Sequence, residues 1–342
     1  MNFGGGALKA GWERSNELIL PNIEIIRNIL KPFLKEKVII QIQPLSGGLN
    51  NSNIKITTDT NESFVLRIYS KNSLSIEVER KILNLLKEKV PVPQVLYIDS
   101  SCSVLNYPFL ILSWVNGTQL SVMMNKKNKR IISSIGSEVG KSLSKIHKVK
   151  FPDSGFFDDK LNINQFVKLN ADGFLMYIEE CLVQGYGNKH LGTKLCNKIL
   201  RFSQEQSHLI NNLEEQNSLV HSDFNPLNIL VEEQDRNINI SGILDWEYAF
   251  SGSPLMDIGN FLRYENINSS KLLNEFILSY QDNGGNLPDK WLQKAKLLDL
   301  ISLCDLLNKK VCGEVRLKDI KRLILNTIEE WDSYESVQRV LV

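Results

Sequence analysis

The order of hydrophobic and polar positions predicts a small β-rich lobe at the start of the chain. "NIEIIRNILKPFL" repeats apolar residues at helical spacing and predicts a first helix. From about Val38 to Tyr69, short β-branched runs are bounded by Gly, Asn and Asp, which predicts an antiparallel meander. A second helix is expected near Ser73 to Lys87, and two further apolar strands end at "FLILSWVNG".

Beyond about Thr118 the pattern is that of a larger, helical lobe. Long periodic segments such as "RIISSIGSEVGKSLSKIHKV" predict helices, and the exceptions are "LVHSDFNPLNIL" and "NISGILDWEYAF". We therefore predict an α+β fold of two lobes. Residues 1–115, including the helical extension, form the N-terminal lobe, and residues 116–342 form the C-terminal lobe.

Composition limits the classes of function. The 342 residues are 42% hydrophobic and 23% charged, as in globular proteins with a sizeable core. A net charge of +1 gives no indication of a nucleic-acid partner. The cysteines are scattered without metal-type spacing, the start of the sequence has no apolar run of signal-peptide length, and the longest apolar runs are far short of a membrane span. We expect a soluble cytoplasmic protein that binds neither nucleic acid nor membrane.

The segment "LVHSDFNPLNIL" places polar residues in a loop between apolar shoulders. A general base for a hydroxyl group needs a carboxylate held in the open by a rigid loop, and Asp223 has that setting. A metal ion bound to phosphates needs oxygen ligands, and Asn228 offers a neutral one. The same cluster of Asp, Asn and Pro is also typical of a plain turn.

A second carboxylate follows in "ISGILDWEYAF", where an apolar strand delivers Asp245 at its end. Mg²⁺ takes one or two protein carboxylates together with substrate phosphates, so Asp245 could complete a site with Asn228. Considered alone, Asp245 is better explained as a solvated residue that starts a turn.

The predicted N-terminal lobe contains a glycine pair and a cation. In "LSGGLNNSN", Gly47 and Gly48 would let backbone N–H groups approach an anion, although such loops are commonly only turns. Arg67 lies on the opposite strand face from Leu66 and Ile68. Its guanidinium could reach phosphate oxygens, or its stem could simply cover apolar surface.

Helical spacing places Glu79 inside the apolar arc of the second predicted helix. A carboxylate turned toward a core is costly unless it meets a cation. Arg67, on the preceding strand, is the natural partner. The alternative is that Glu79 lies at the edge of the buried stripe.

Taken in order, these features resemble the kinase fold. A glycine-rich loop, a basic residue on the third strand, a Glu on the next helix, H-x-D-x-x-x-x-N and a strand-end Asp occur in that sequence. Within that fold the chain resembles the aminoglycoside phosphotransferase family, whose relatives include choline and homoserine kinases. The resemblance runs from about Leu45 to Arg263 and rests mainly on "HSDFNPLNIL" and "GILDWEYAFSGSPLMDIGNFLR". It implies a protein-kinase-like two-lobe fold.

The resemblance also implies roles for individual residues. Asp223 is implied as the catalytic base, and Asn228 and Asp245 as ligands of Mg²⁺. His221 and Asp257 are implied to support the catalytic loop. The N-terminal lobe is implied to bind ATP or GTP as the phosphate donor. The residues implied for nucleotide binding are Gly47, Gly48, Asn50, Asn51, Ser52, Arg67, Glu79, Ser113 and Val115.

The phosphate acceptor is expected to be a small molecule with a hydroxyl group. Protein kinases carry a long activation segment after the metal-binding Asp, whereas "MDIGNF" begins within twelve residues of Asp245 and leaves no room for peptide docking. The leading hypothesis is an antibiotic-resistance kinase for an aminoglycoside or hygromycin. The alternatives are a kinase for choline, homoserine or a sugar, and a non-catalytic kinase-like binding protein. A strongly acidic cleft would favour a polycationic antibiotic, and an aromatic cage would favour choline.

Overall fold

The N-terminal lobe is a five-stranded antiparallel sheet with a helix on each face. The computed structural model describes residues 9, 11–45, 48–69, 74–126, 128–211, 213, 216–235, 237–265 and 271–340. The strands of this sheet are β1 (Ile39–Pro44), β2 (Ser52–Thr58), β3 (Ser63–Ile68), β4 (Val95–Asp99) and β5 (Phe109–Ser113). They are ordered β1-β2-β3-β5-β4, so the predicted antiparallel meander is confirmed as β1 to β3.

The two faces of this sheet belong to different hydrophobic clusters. Helix α1 (Ile23–Leu34) begins after Asn22, whose side chain accepts a hydrogen bond from Ile25 N at 2.9 Å, and it packs on the face that carries Leu66 and Ile68. Helix α2 (Leu74–Leu86) packs on the other face, and its buried residues join the core of the C-terminal lobe. The face that carries Arg67 is therefore directed toward the junction of the lobes.

The C-terminal lobe is mainly helical. Its helices are α3 (Leu120–Met124), α4 (Lys129–His147), α5 (Ala171–Glu179), α6 (Gly187–Leu191), α7 (Thr193–Gln206), α8 (Leu255–Phe261), α9 (Lys271–Asp282), α10 (Trp291–Leu307), α11 (Glu314–Glu329) and α12 (Trp331–Val340). A π-helical turn (Glu180–Gln184) and a 3₁₀ turn (Ser207–Ile210) extend α5 and α7. Among the described residues, no helix is both long and apolar enough to cross a membrane.

Two small sheets also occur in this lobe. Their strands are β6 (Thr118–Gln119), β7 (Gly155–Phe157), β8 (Ile163–Phe166), β9 (Ser218–Val220), β10 (Ile229–Gln234), β11 (Asn237–Ile243) and β12 (Phe250–Gly252). The orders are β11-β10-β6 and β8-β7-β12-β9. The expectation of a helical lobe with two exceptions was incomplete, because β7 and β8 were not predicted; strands of three and four residues carry too little alternation to be recognised. The α+β two-lobe architecture itself is as predicted.

Candidate active site

The loop between β9 and β10 presents Asp223 at the junction of the lobes. Asn228 Nδ2 donates to Asp223 Oδ2 at 2.9 Å and to its backbone oxygen at 3.0 Å. Asn225 Nδ2 donates to Asp223 Oδ1, also at 2.9 Å. The Asp223 side chain remains 25% exposed. Two amides thus fix a carboxylate that is still accessible, as a general base requires.

The carboxylate of Asp257, at the start of α8, supports this loop through hydrogen bonds to its backbone. This carboxylate is fully buried and accepts hydrogen bonds from His221 N at 2.8 Å and Ser222 N at 2.9 Å. His147 Nε2 lies 3.2 Å from Asp257 Oδ2. His147 is buried on α4, and it lies 110 positions from Asp257 along the chain, so spacing in the sequence gives no signal of the contact.

His221 joins the Asp223 loop to the strand that ends at Asp245. Its Nε2 lies 2.8 Å from the carbonyl oxygen of Leu244, and Asp223 N donates to its Nδ1 at 3.2 Å. Because a carbonyl oxygen only accepts, Nε2 carries the proton. Leu244 N in turn donates to Asn228 O at 2.8 Å. These contacts hold Asn228 and Asp245 side by side at the ends of the paired strands β10 and β11.

Arg67 and Glu79 form the ion pair that their sequence pattern predicted. Arg67 Nε lies 3.2 Å from Glu79 Oε2, and both side chains are buried. Tyr69, two residues after Arg67 on the same strand face, donates its hydroxyl to Glu79. Burial raises the pKa of Glu79, and the neighbouring guanidinium partly opposes that shift. Alternation along β3 could have identified Tyr69, which was not predicted as a site residue.

Three carboxylates surround the single Arg67 guanidinium. Besides Glu79, Arg67 Nη2 contacts Asp245 Oδ1 and lies 3.7 Å from Glu247 Oε1. Burial, together with the charge of Asp245, raises the pKa of Glu247 to about 8. Burial opposes the ionisation of Asp245, but Arg67 outweighs it and holds its pKa below the usual range.

This arrangement fits a bound Mg²⁺ ion. The amide N–H groups of Asn228 are directed at Asp223, which leaves its amide oxygen as the donor beside the Asp245 carboxylate. Both groups supply the hard oxygen ligands that Mg²⁺ prefers. Asp245, Glu79 and Glu247 outnumber the Arg67 cation, so a divalent cation bound here would favour the ionised forms of the carboxylates whose pKa is raised.

The glycine-rich loop lies against the residues that follow Asp245. Gly47 is outside the described residues, and Gly48 begins the described part of the loop. Asn51 Nδ2 donates to Glu247 Oε2 at 2.7 Å, and Asn50 contacts the Tyr248 hydroxyl. The loop is therefore closed over the segment that carries the candidate metal ligand.

The remaining predicted nucleotide-site residues lie at the start of β2 and in residues 113–115, which join the two lobes and which we call the hinge. Ser52 Oγ accepts a hydrogen bond from Ile19 N at 2.8 Å. Ser113, the last residue of β5, accepts at Oγ from Gln94 N at 2.9 Å. Val115 packs so closely on Gly242 of β11 that a Cβ there would lie 2.8 Å from Val115 Cγ1. The hinge thus runs beside the strand that leads to Asp245.

A contact that the sequence did not indicate reaches Asp223 from the N-terminal segment. Lys9 Nζ lies 2.6 Å from Asp223 Oδ1. Trp12 Nε1 and the Tyr264 hydroxyl both donate to Asp319 Oδ2, at 3.2 and 2.7 Å. The Lys9 ammonium thus contacts Asp223 on one side and lies 5.7 Å from the centre of the Trp12 ring on the other.

Comparison with known proteins adds a family match. The model of the phosphotransferase enzyme family APH matches residues 41–291, which include every site residue discussed above except those of the N-terminal segment and Asp319. No curated protein matches the chain in a sequence search.

Solved structures share the fold at low sequence identity. A thermostable mutant of aminoglycoside phosphotransferase APH(4)-Ia, in a ternary complex with ADP and hygromycin B, is 15% identical with a TM-score of 0.63, covering 91% of this chain and 98% of that one. The GDP and kanamycin complex of APH(2″)-IIIa is 16% identical with a TM-score of 0.65, covering 90% and 98%. Macrolide 2′-phosphotransferase MphH from Brachybacterium faecium is 13% identical with a TM-score of 0.59, covering 92% and 98%. At these identities the likeness shows the fold.

Proposed function

Because the chain belongs to the phosphotransferase enzyme family, we propose that it transfers the γ-phosphate of ATP or GTP to a hydroxyl group of a small molecule, with Mg²⁺ as cofactor. The observation that carries the proposal is the fixed but accessible Asp223 carboxylate beside Asn228 and Asp245. Phosphoryl transfer depends mainly on positioning and on neutralising charge, and this site provides groups for both.

Each group has a part in the proposed mechanism. Asp223 orients the acceptor hydroxyl and takes its proton as the phosphoryl group leaves the nucleotide. Asn228 and Asp245 would hold Mg²⁺, which when bound neutralises phosphate charge. Arg67, kept in place by Glu79, faces the phosphates from the sheet. His221 and Asp257 keep the loop of Asp223 in register with the end of β11.

The lobes divide these tasks. We assign nucleotide binding to residues 1–115, through the loop of Gly47, Gly48, Asn50, Asn51 and Ser52 and through backbone groups of the hinge at Ser113 and Val115. Residues 116–342 supply the catalytic loop and the acceptor site. The backbone carbonyl and N–H groups of a hinge can bind either purine, so both ATP and GTP belong in the first assays.

For the acceptor we propose an antibiotic, supported by the hygromycin B and kanamycin complexes among the structural neighbours. A cytoplasmic enzyme with a role in antibiotic resistance follows from that proposal. The second candidate is a small-metabolite kinase acting on choline, homoserine or a sugar. It is supported by the Lys9 ammonium on Asp223, a like charge that a polycationic acceptor would have to displace.

The test is nucleotide turnover with Mg²⁺ across aminoglycosides, hygromycin B, macrolides, choline and homoserine, with ATP and GTP in parallel. Acceptor-dependent release of ADP or GDP is expected for the wild type. Asp223→Asn should lower kcat by about 10²–10⁴-fold and retain nucleotide affinity, because it removes the base and keeps its shape. Asp245→Asn should lower both kcat and the affinity for the Mg²⁺–nucleotide. If the wild type neither binds Mg²⁺–nucleotide nor turns over, the chain is a kinase-shaped binding protein instead.

A further inference from the structure

The N-terminal segment crosses the cleft between the lobes. We call Lys9 together with residues 11–19 the strap. On the side of the N-terminal lobe, the Arg14 guanidinium donates to the carbonyl oxygens of Gly48 and Asn51, the latter at 2.9 Å. Ser15 N donates to Leu49 O, also at 2.9 Å. The strap is thus bonded to the backbone of the glycine-rich loop.

On the side of the C-terminal lobe, the strap is bonded to α11. Arg316 of α11 donates to the backbone oxygen of Glu13, and Val315 N donates to Glu13 Oε1 at 3.3 Å. Trp12 is only 7% exposed, and its indole N–H donates to Asp319. The strap therefore has a buried anchor on α11 and a polar clamp on the glycine-rich loop, so the lobes cannot separate widely while it is in place.

The first described residue of the strap lies on the proposed catalytic base. Lys9 Nζ is 2.6 Å from Asp223 Oδ1, and the Lys9 side chain is 13% exposed. Asn225 and Asn228 already donate to the two oxygens of this carboxylate. An ionised carboxylate has about four acceptor positions, and Oδ1 uses two of them, for Asn225 and for the Lys9 ammonium. An acceptor hydroxyl must donate to the same group.

The strap also acts on the phosphate side of the cleft. The loop that it clamps contacts Glu247 and Tyr248 through Asn51 and Asn50, directly over the segment that starts at Asp245. A nucleotide placed between the loop and this segment would have to open these two contacts. One stretch of chain therefore restrains the binding places proposed for both substrates.

We propose that the strap is autoinhibitory, with Lys9 competing with the acceptor for Asp223 and Arg14 holding the glycine-rich loop closed. This inference rests on the proposed function and adds regulation of the same site. The apparent affinity for substrate is then the intrinsic affinity multiplied by the fraction of molecules in which the strap is released. Release of the strap opens the acceptor and nucleotide sites together.

The test compares two strap variants with a matched control. Lys9→Met removes the ammonium and keeps the length of the side chain, and Arg14→Met releases the two loop carbonyls. Lys189→Met makes the same charge change at an exposed position of α6, away from the cleft. Acceptor-independent hydrolysis of Mg²⁺–ATP should rise about tenfold in Lys9→Met, because water gains access to Asp223. The Kd of Mg²⁺–AMP-PNP, measured by calorimetry, should fall about fivefold in Arg14→Met.

Amide hydrogen exchange of residues 11–19 gives a readout that needs no turnover. We expect faster exchange in both strap variants without ligand, and faster exchange in the wild type when Mg²⁺–AMP-PNP is added. Slower hydrolysis in Lys9→Met with nucleotide binding intact would make Lys9 part of the catalytic machinery. That result would overturn the autoinhibition but leave the proposed function standing. Strap exchange unchanged by the nucleotide would also overturn it. Absence of Mg²⁺–AMP-PNP binding in the wild type and in every variant would overturn the proposed function and the regulation with it.

Discussion

Ser222 and Asp245, two residues of the candidate site, have left-handed backbone torsions with φ of 72° and 70°. Such conformations cost a non-glycine residue about 1–3 kcal/mol and persist only where surrounding contacts impose them. At Ser222 the contact is the hydrogen bond from its backbone N to Asp257, and at Asp245 it is the ion pair with Arg67. The turns that present the carboxylates of Asp223 and Asp245 are therefore both strained, as is typical of functional sites.

Ser222→Gly should relieve this strain while keeping the N–H that binds Asp257. Glycine adopts positive φ freely but loses more entropy on folding, so we expect a net gain of up to about 1 kcal/mol in the free energy of unfolding. Ser133→Gly, in the second turn of α4, is the control, and it should lose about 0.5 kcal/mol through helix propensity. Urea denaturation measures both. A loss of stability in Ser222→Gly as large as that in the control would mean that Ser222 is not strained.

Lys296 is a cation whose burial lowers the stability of the folded protein. Its ammonium donates to Leu262 O at 2.9 Å, beside the buried ion pair of Arg263 and Asp299. Burial lowers the pKa of Lys296 to about 8, although the charge of Asp299 opposes this shift more than that of Arg263 assists it. The unfolded chain binds this proton more tightly, so stability should rise with pH between about 8 and 10.5, and the penalty is fully present below pH 8.

Lys296→Met should therefore stabilise the protein at pH 7 by about 1–2 kcal/mol, which is the removed charge penalty less the lost hydrogen bond. The advantage should disappear as the pH approaches 10, where the wild-type lysine is neutral. Lys294→Met, at a less buried position of α10, serves as the control. Thermal unfolding from pH 7 to pH 10 measures the difference. An advantage that is constant with pH would show that packing, rather than the buried charge, explains it.

At the scale of elements, α4 and α9 pack closely because α4 has glycine at the points of contact. A Cβ at Gly140 would lie 2.9 Å from Tyr280 N, and one at Gly136 would lie 2.9 Å from Glu275 Cβ. This packing positions the functional loop indirectly, since α4 carries His147, the partner of Asp257, and His147 Nδ1 lies 2.8 Å from the Tyr280 hydroxyl of α9.

Gly140→Ala should force the two helices apart. We expect a loss of about 1–3 kcal/mol in the free energy of unfolding, in spite of the better helix propensity of alanine. Ser133→Ala makes a helix-favouring change at a half-buried position of α4 and should gain a few tenths of a kcal/mol. Denaturant titration of the two variants shows whether the steric cost at the helix contact exceeds the gain in helix propensity. Equal gains in both would show that the helix contact can relax without cost.

The sequence predicts elements best where a repeating pattern is long. The α2 pattern placed Glu79 on the buried face and the β3 alternation placed Arg67 opposite Leu66, so their pairing could be predicted. The contact of Lys9 with Asp223 spans 214 positions and involves residues with no pattern of their own. The contact of His147 with Asp257 spans 110 positions and has no local signal either. Such contacts are determined by how elements pack, which a single sequence does not encode locally.

At the scale of the whole molecule, the two lobes share one hydrophobic cluster. Buried residues of α2, among them Ile82 and Leu86, belong to the same cluster as Ile243 and Trp246 of the C-terminal lobe. Pro91 O also accepts a hydrogen bond from Ile243 N at 2.9 Å. The cleft lies beside this shared core, and we therefore expect the lobes to unfold together in one transition.

A ligand that binds the cleft should then stabilise the whole chain. At 100 times its Kd, Mg²⁺–ADP should add about 2.7 kcal/mol to the free energy of unfolding, which corresponds to a rise of about 4 °C in Tm for a protein of this size. Removal of Mg²⁺ with a chelator should cancel most of this rise, because the Asp245 carboxylate and the nucleotide phosphates would then repel each other without a cation between them. Asp245→Asn should behave like the chelated wild type. Differential scanning calorimetry measures each case, and an equal Tm rise without Mg²⁺ would show that Asp245 and Asn228 do not form the metal site.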